Sequence, residues 1–220
     1  TIRFEKGHLM DLLSIGLVGS ALLCSLVAGI VLAFASVVMP GIRRLNDHDF
    51  LQSFKVMDRV IQDNQPVFML VWVGSVVVLV ATAALGLWRL DGADRILLVT
   101  ATVVYLVGVQ LPTATINIPL NNHLQAQDLG SLSDASIRDE RTAFEARWVR
   151  WNAIRTVFAV LASALLLTLA EVGCGLAPGP VAAAEPAGPD VGLAEEMEEA
   201  AEPKPDRGTK AVGESMVSVK

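Results

Sequence analysis

Four long runs of apolar residues, separated by polar segments, dominate the hydrophobic pattern of the chain. The runs cover about residues 12–39, 67–88, 96–118 and 152–170. A run of about 18 or more apolar residues with few charges is long enough to cross the hydrocarbon core of a bilayer, which is roughly 30 Å thick. Each run therefore predicts a transmembrane helix. Together they predict an all-α fold, an integral membrane four-helix bundle.

The polar connections between these runs are long, short and long. The short one, residues 89–95, contains Asp91-Gly92, a dipeptide typical of tight turns. Apolar residues recur at helical spacing within residues 50–65 and 133–148, which predicts an amphipathic helix in each long connection. With connections in this order, both long ones lie on the same side of the membrane.

Composition separates the C-terminal part of the chain from the rest. The chain of 220 residues is 53% hydrophobic and only 18% charged, as expected for a membrane protein. Residues 171–220 are instead rich in Pro, Gly, Ala and Glu, and their ten acidic and four basic residues account for the net charge of −6. That composition cannot bury a core. We therefore expect a transmembrane domain over residues 1–170 and a disordered acidic tail over residues 171–220.

The basic residues that flank the apolar runs predict an orientation. Nine lysines and arginines near the membrane lie on the side of the two long connections, and four lie on the other side. Cytoplasmic loops carry the excess of Lys and Arg in membrane proteins. This rule predicts that the long connections are cytoplasmic and that both termini are outside.

The unusual polar residues concentrate at the helix ends that adjoin the long connections. Helical spacing aligns them in three stripes, one before the second run, one at the end of the third and one at the start of the fourth. The stripes are Asp58, Gln62 and Gln65; Gln110, Thr113, Asn117 and Asn121; and Phe144, Trp148, Trp151, Asn152 and Arg155.

Two interpretations of these stripes stay open. In the first, the amides hydrogen-bond between helices, and Arg155 snorkels to the interface or pairs with Asp58. In the second, the stripes line a binding pocket, because polar groups at membrane depth are costly and normally face the bundle interior or a cavity. We favour the pocket, since contacts between helices do not require so many amides at one depth.

The residue types present predict neither a metal nor another cofactor. The three histidines show no metal-ligand spacing, and no Walker or dinucleotide-binding motif occurs. Cys24 and Cys174 form no C-x-x-C pair. His123 is the only histidine near the polar stripes. It is either an ordinary polar loop residue or a proton acceptor for chemistry near neutral pH.

Four segments of the chain resemble the anthrone oxygenase-like family. They are VVMPGIRRL at 37–45, FKVMDRVIQDNQP at 54–66, TINIPLNNHL at 115–124 and RWVRWNAIRT at 147–156, and the resemblance extends over roughly residues 10–170. The combination of PLNN with W-x-x-W-N-x-x-R-T is the most specific part. The family consists of small four-helix membrane proteins that are abundant in bacteria, and its fungal members oxidise anthrones to anthraquinones. The resemblance implies a multi-pass protein of the bacterial cytoplasmic membrane.

The resemblance also implies a chemistry that these side chains are suited to perform. The methylene of an anthrone is acidic, and its carbanion reacts with O2 without a metal or flavin. Such a reaction needs a base, donors for the developing oxyanion and a flat apolar slot. The candidates are Asp58 or His123 as base, Arg155, Asn121, Asn122 and Asn152 as donors, Trp148 and Trp151 as stacking surfaces, and Gln62, Gln65 and Asn117 as further lining.

Two other classes of function compete with a monooxygenase of this kind. One is a non-catalytic membrane protein that binds a lipid or a hydrophobic small molecule, or supports a partner protein. The other is a transporter, which is disfavoured because four helices without an inverted repeat make a small transport unit. We expect membrane lipid and a hydrophobic aromatic molecule as partners and no nucleic acid, and the sequence is compatible with an oligomer.

Overall fold

The structure is a computed structural model that describes residues 2–173, with side-chain surroundings for residues 10–171. Four helical spans in this part are long and apolar enough to cross a membrane: Met10–Ile42, Pro66–Arg89, Gly92–Ala126 and Asp134–Glu171. The described residues form helices and turns without a strand. The predicted all-α membrane bundle is therefore confirmed. The α-helices are α1 (Ile2–Ala33), α2 (Met39–Ile42), α3 (Asp47–Gln62), α4 (Pro66–Arg89), α5 (Gly92–Tyr105), α6 (Ile118–Ala126) and α7 (Asp134–Gly173).

The helices of the first and third spans continue past prolines. The first span continues through Pro40 to Ile42, and the third continues through Pro112 and Pro119 to Ala126. A proline removes one backbone donor, and a π turn is one way for a helix to accommodate the disturbance. The α-helical segments of these two spans are joined through such turns, at Phe34–Val38, Leu106–Gln110 and Thr113–Asn117. The predicted membrane-spanning segments, 12–39 and 96–118, lie within these longer helices.

The connections follow the predicted order. The first long connection contains the amphipathic helix α3, whose N-terminus is capped by the side chain of Asn46, which accepts from the backbone N–H of Asp49 at 2.9 Å. The tight turn falls between α4 and α5, where Gly92 has a φ of 52°, a conformation that glycine adopts without steric cost. In the second long connection, the predicted amphipathic helix forms the first part of α7 and continues directly into the fourth span.

The boundary between the membrane domain and the tail lies slightly later than predicted. Helix α7 extends to Gly173, so residues 171–173 are helical and do not belong to the tail. The rest of the predicted disordered segment, residues 174–220, lies outside the described residues.

Two clusters of buried apolar side chains hold the helices together. The larger one joins the membrane-spanning parts of α1, α4, α5 and α7 and includes Val27, Tyr105 and Leu166. The smaller one joins the ends of these spans to α3 and α6 and includes Phe54 and Trp148. Large apolar side chains elsewhere on the spans are exposed on the outer surface of the bundle, as expected for helices that face lipid.

A glycine allows the close contact between the third span and α7. Gly108 is buried in the second π turn, and a Cβ atom at this position would overlap the ring of Phe158 on α7. Small residues allow such close approach between helices in lipid. This contact fixes the third span against α7 just below the polar stripes.

Candidate functional site

The polar stripes meet at a cavity of about 230 Å³. Most of its wall is apolar or aromatic, and the polar groups converge on it from the third and fourth spans and from α3. This combination is typical of small-molecule sites. The lining residues are Ile30, Val31 and Phe34 from the first span; Phe54, Asp58 and Ile61 from α3; Phe68, Met69, Trp72 and Val73 from α4; Thr113, Asn117, Ile118 and Asn121 from the third span; and Trp148, Asn152 and Arg155 from α7.

Asp58 occupies the end of the cavity nearest α3 and α6, and only 4% of it is exposed. Three amide side chains donate to its carboxylate. Asn121 donates to Oδ1 at 2.7 Å, and Gln62 and Gln125 donate to Oδ2 at 2.7 and 2.9 Å. A carboxylate accepts about four hydrogen bonds, so one acceptor position, on Oδ1, remains free.

Arg155 contributes the cationic group of the cavity, and only 5% of it is exposed. Two of its nitrogens are hydrogen-bonded, Nη1 to Thr113 Oγ1 at 3.0 Å and Nη2 to Asn152 Oδ1 at 2.9 Å. Asn152 is itself fixed, because its Nδ2 donates to the carbonyl of Val31 at 3.0 Å. The guanidinium is therefore held between α1, the third span and α7.

Arg155 has no carboxylate partner among the described side chains. The ion pairs of this part of the chain lie elsewhere, for example Arg43 with Glu145 and Arg141 with Asp47. Asp58 instead accepts hydrogen bonds from amides, so the pairing of Arg155 with Asp58 that one of the two interpretations allowed is not formed. A buried charge without a counter-ion is costly, and this leaves the guanidinium available to an anion.

Several polar atoms around the cavity are buried and have no hydrogen-bonding partner among the described residues. They are Nε of Arg155, both Oδ1 and Nδ2 of Asn117, and Nε2 of Gln110. Such groups are rare in folded proteins and call for an explanation. Arg155 and Asn117 both line the cavity, but these atoms themselves have almost no accessible surface, so a ligand would reach them only after a small movement of the side chains.

Trp148 links the two ends of the cavity. Its Nε1 donates to Asn121 Oδ1 at 2.9 Å, and the Arg155 guanidinium lies 5.8 Å from its ring centroid. The rings of Phe34 and Phe54 pack against it with centroid distances of 5.6 and 5.2 Å. The indole is therefore locked in place as a flat wall between Asp58 and Arg155.

Not all of the sequence-predicted residues reach the cavity. Asp58, Asn117, Asn121, Trp148, Asn152 and Arg155 line it, whereas Gln62, Gln65, Asn122, His123 and Trp151 do not. Gln62 acts on Asp58 from outside, and Asn122 accepts from Gln62 at 3.3 Å. Gln65 caps α4 by accepting from the backbone N–H of Phe68. Trp151 is half-buried away from the cavity.

His123 lies in a different place from the one proposed for a base. Its Nε2 is 3.0 Å from Glu140 Oε1, and it lines a separate surface pocket between α6 and α7. His123 directly follows the PLNN motif, so its backbone is near the cavity. The side chain of Asn121, two residues earlier, faces the cavity, whereas that of His123 faces outward. His123 is therefore not positioned to act on a ligand in the cavity.

The sequence analysis missed Gln125, which donates to Asp58 without lining the cavity, and two aromatic residues of the cavity wall. Gln125 continues the stripe of Asn117 and Asn121 at a spacing of four residues, so periodicity alone was enough to find it. Trp72 and Phe68 stack at a centroid distance of 5.3 Å, and Trp72 Nε1 donates to Gln110 Oε1 at 3.1 Å. These aromatic residues lie inside an apolar span, where nothing distinguishes a wall residue from a lipid-facing one.

The described residues contain no group of three or more histidine, cysteine or carboxylate side chains placed to share a metal ion. We therefore assign no metal site to this part of the chain. The site consists of amide, guanidinium, carboxylate and aromatic groups.

These features define the chain as a multi-pass membrane helical bundle with a mostly apolar cavity, into which a few polar groups project, at one end of the bundle. Residues 67–165 match the family model described as "Anthrone oxygenase", which confirms the resemblance to the anthrone oxygenase-like family. The match includes Asn117, Asn121, Trp148, Asn152 and Arg155, and it excludes Asp58 and the first span. No curated protein matches the chain. No solved structure matches it either.

Proposed function

We propose that this protein is an oxygenase-like membrane protein that binds a lipophilic aromatic molecule of the anthrone type and supports its reaction with O2 without a cofactor. The observation that carries the proposal is the buried guanidinium of Arg155, which faces an apolar cavity without a carboxylate partner. An oxyanion is the ligand group that best satisfies it.

The size and the walls of the cavity suit a flat ring system. A dry cavity of about 150 Å³ binds benzene, and this one is about half as large again. The rings of Trp148 and Phe54 form part of its wall. A fused aromatic system therefore fits the space better than a lipid acyl chain with its headgroup.

The positions of the polar atoms suit an enolate. Thr113 and Asn152 hold two nitrogens of Arg155, which directs the guanidinium, and its free Nε is left for the ligand oxygen. Asn117 offers a free donor and a free acceptor in the same cavity. Donors that are fixed before the reaction stabilise developing negative charge without reorganisation.

The reaction that follows balances with O2 as the only oxidant. Removal of one methylene proton gives a carbanion whose charge is delocalised onto the ring oxygen, where Arg155 holds it. The carbanion adds O2 to form a carbon–oxygen bond, and protonation gives a hydroperoxide. Loss of the second methylene proton and cleavage of the O–O bond expel water and leave the ketone. The methylene loses four electrons and O2 gains four.

Asp58 is the acid–base group that we assign to the first proton transfer. It is the carboxylate that lines the cavity, and Oδ1 keeps one acceptor position free. General bases act within hydrogen-bonding reach of the proton that they remove. His123 is not assigned this role, because it faces a different pocket.

We further propose that the protein resides in the bacterial cytoplasmic membrane with α3 and α6 on the cytoplasmic side. The excess of lysines and arginines around the two long connections supports this orientation. The cavity then lies near the cytoplasmic surface of the bilayer.

The experiment that tests the proposal follows anthraquinone formation by the purified protein in nanodiscs. We expect oxidation of anthrone faster than in air alone, with the new ketone oxygen derived from labelled O2. Arg155→Lys should lower the rate by about tenfold, since lysine lacks the fixed fork of donors. Arg138→Lys serves as the matched control, because the Arg138 side chain is 73% exposed and lies away from the cavity, where it pairs with Asp47. Binding of anthrone without any rate above air would instead support the non-catalytic alternative.

A further inference from the structure

The wall of the cavity between α4 and the third span consists of side chains that also reach the outer surface of the bundle. Val73 and Ile118 both line the cavity, yet 52% and 47% of their surfaces are exposed. Val73 continues a stripe of exposed apolar residues on α4 that includes Leu70 and Val77. At about 1.5 Å per residue it lies roughly 10 Å into the span that begins at Pro66, so this wall borders the hydrocarbon region.

Several hydrogen bonds cross the polar end of the cavity. Asp58 joins α3 to the third span through Asn121 and Gln125, and the Nζ of Lys55 donates to the carbonyl of Gln127. Beneath these bonds, Phe54 and other fully buried side chains pack α3 against α6 and α7. A ligand that arrived from water would have to break this network.

Side-chain hydrogen bonds join α4 to the third span only from Trp72 onwards. Within the described residues, no side-chain hydrogen bond joins residues 66–71 to residues 111–126. The ties between α4 and the third span are Trp72 to Gln110 at 3.1 Å and Ser75 to Tyr105 at 2.6 Å. Trp72, with Phe68 stacked on it, therefore lies at the edge of a region in which no side-chain hydrogen bond joins α4 to the third span.

We infer that the cavity is entered laterally from the bilayer, through a portal between α4 and the third span that is bounded by Phe68, Trp72, Val73 and Ile118. The occupant that passes through it is an apolar aromatic molecule dissolved in the lipid. The class of this molecule rests on the proposed function, but the route rests only on the geometry. Lateral entry explains why the wall towards the lipid is apolar and lacks hydrogen bonds between its helices, whereas several hydrogen bonds cross the wall towards water.

The route is tested with a thiol placed inside the cavity. Asn117→Cys puts it there without breaking a hydrogen bond, because both polar side-chain atoms of Asn117 are unpartnered. Cys24 and Cys174 are replaced by alanine, and the protein is reconstituted in liposomes that are opened to expose both faces. Two reagents are compared at alkaline pH: N-(1-pyrenyl)maleimide, which dissolves in the bilayer, and a sulfonated maleimide that stays in water.

We expect the pyrenyl reagent to label the thiol and the sulfonated reagent to leave it unlabelled. Val73→Trp and Ile118→Trp should each slow labelling by tenfold or more by filling the portal. Val77→Trp is the matched control, because Val77 is 61% exposed on the same face of α4 but does not line the cavity. It should leave the rate unchanged.

Equal labelling by the two reagents would overturn the inference, as would equal rates in the Val73→Trp, Ile118→Trp and Val77→Trp variants. If the tryptophan variants do not fold, Val73→Ala provides the opposite perturbation and should speed labelling, and an unchanged rate would contradict the portal. No step of this experiment needs turnover. A failed portal therefore leaves the oxygenase proposal standing, and an inactive protein leaves the portal testable.

Discussion

If Arg155 binds an anion, replacing it by methionine should greatly reduce the affinity for an anionic ligand and change the stability of the protein only slightly. Methionine keeps an unbranched chain of similar length in the cavity wall but removes the charge and all donors. Two hydrogen bonds to Thr113 and Asn152 are lost, and no ion pair is broken, because the described residues place no carboxylate beside the guanidinium.

The two consequences differ in magnitude. Each lost hydrogen bond to a charged group destabilises the fold by about 1.5–3 kcal/mol. Removing a buried, uncompensated charge also removes its desolvation penalty, which stabilises the fold by several kcal/mol. The free energy of unfolding should therefore change by no more than about 1 kcal/mol, a shift of roughly 2–4 °C in Tm for a domain of this size. Breaking a buried ion pair would instead cost about 3–5 kcal/mol.

Affinity should fall much more than stability. One charge-assisted hydrogen bond to the ligand is worth about 1.5–3 kcal/mol, which corresponds to a loss of roughly 10- to 150-fold in Kd. The assay measures binding of 2-naphthoate, a flat aromatic carboxylate, to the protein in nanodiscs. Its neutral analogue 2-naphthamide serves as the control, and we expect the substitution to affect it only slightly.

Two results would refute this reasoning. One is an equal loss of affinity for 2-naphthoate and 2-naphthamide, which would mean that Arg155 shapes the cavity without binding the anion. The other is a loss of several kcal/mol in stability that Asp58→Leu restores in the double variant. Such coupling would reveal an ion pair between Arg155 and Asp58, and the structure predicts instead that the two effects are additive.

Three further predictions concern the bundle and its tail. Gly108→Ala should lower Tm, because the new Cβ overlaps the ring of Phe158 and overpacking costs about 1–3 kcal/mol. Gly29→Ala, with open space around its Cβ, should leave Tm unchanged. Equal Tm values for the two variants would disprove the close contact. A cysteine at Ser218 should be labelled by an impermeant reagent in intact cells, and resistance would reverse the orientation. Truncation after Gly175 should leave the Tm in detergent unchanged, and a large decrease would show that the tail docks on the domain.

Much of the fold was predictable because lipid imposes a simple rule. A span must satisfy its own backbone and present apolar side chains, so runs of apolar residues identify helices directly. The ends of the spans were harder to predict. Proline generally interrupts a helix, but the helices of the first and third spans pass Pro40, Pro112 and Pro119 with π turns close by. The compensation depends on tertiary packing, which a single segment does not reveal.

The candidate site was predictable where polar residues repeat at helical spacing. Asn117 and Asn121 on one span, and Trp148, Asn152 and Arg155 on another, were recognised as two facing stripes, and they meet at the cavity. Their roles in binding stay predictions.

Residues in irregular positions were not predictable in this way. His123 follows Asn121 by two residues and therefore points away from it, towards Glu140. Gln65 lies on the expected stripe, but its side chain is used to cap α4. Phe68 and Trp72 escaped notice because aromatic residues in an apolar span look alike whether they face lipid or a cavity.

The most direct test of the account is an experimental structure of the protein with 2-naphthoate bound. We expect the ring beside Trp148 and a carboxylate oxygen about 2.7–2.9 Å from Nε of Arg155, with the amide of Asn117 also within hydrogen-bonding distance. Occupancy of the cavity by a lipid chain, or a ligand carboxylate bound away from Arg155, would contradict the central claim that this cavity is built to hold an aromatic anion.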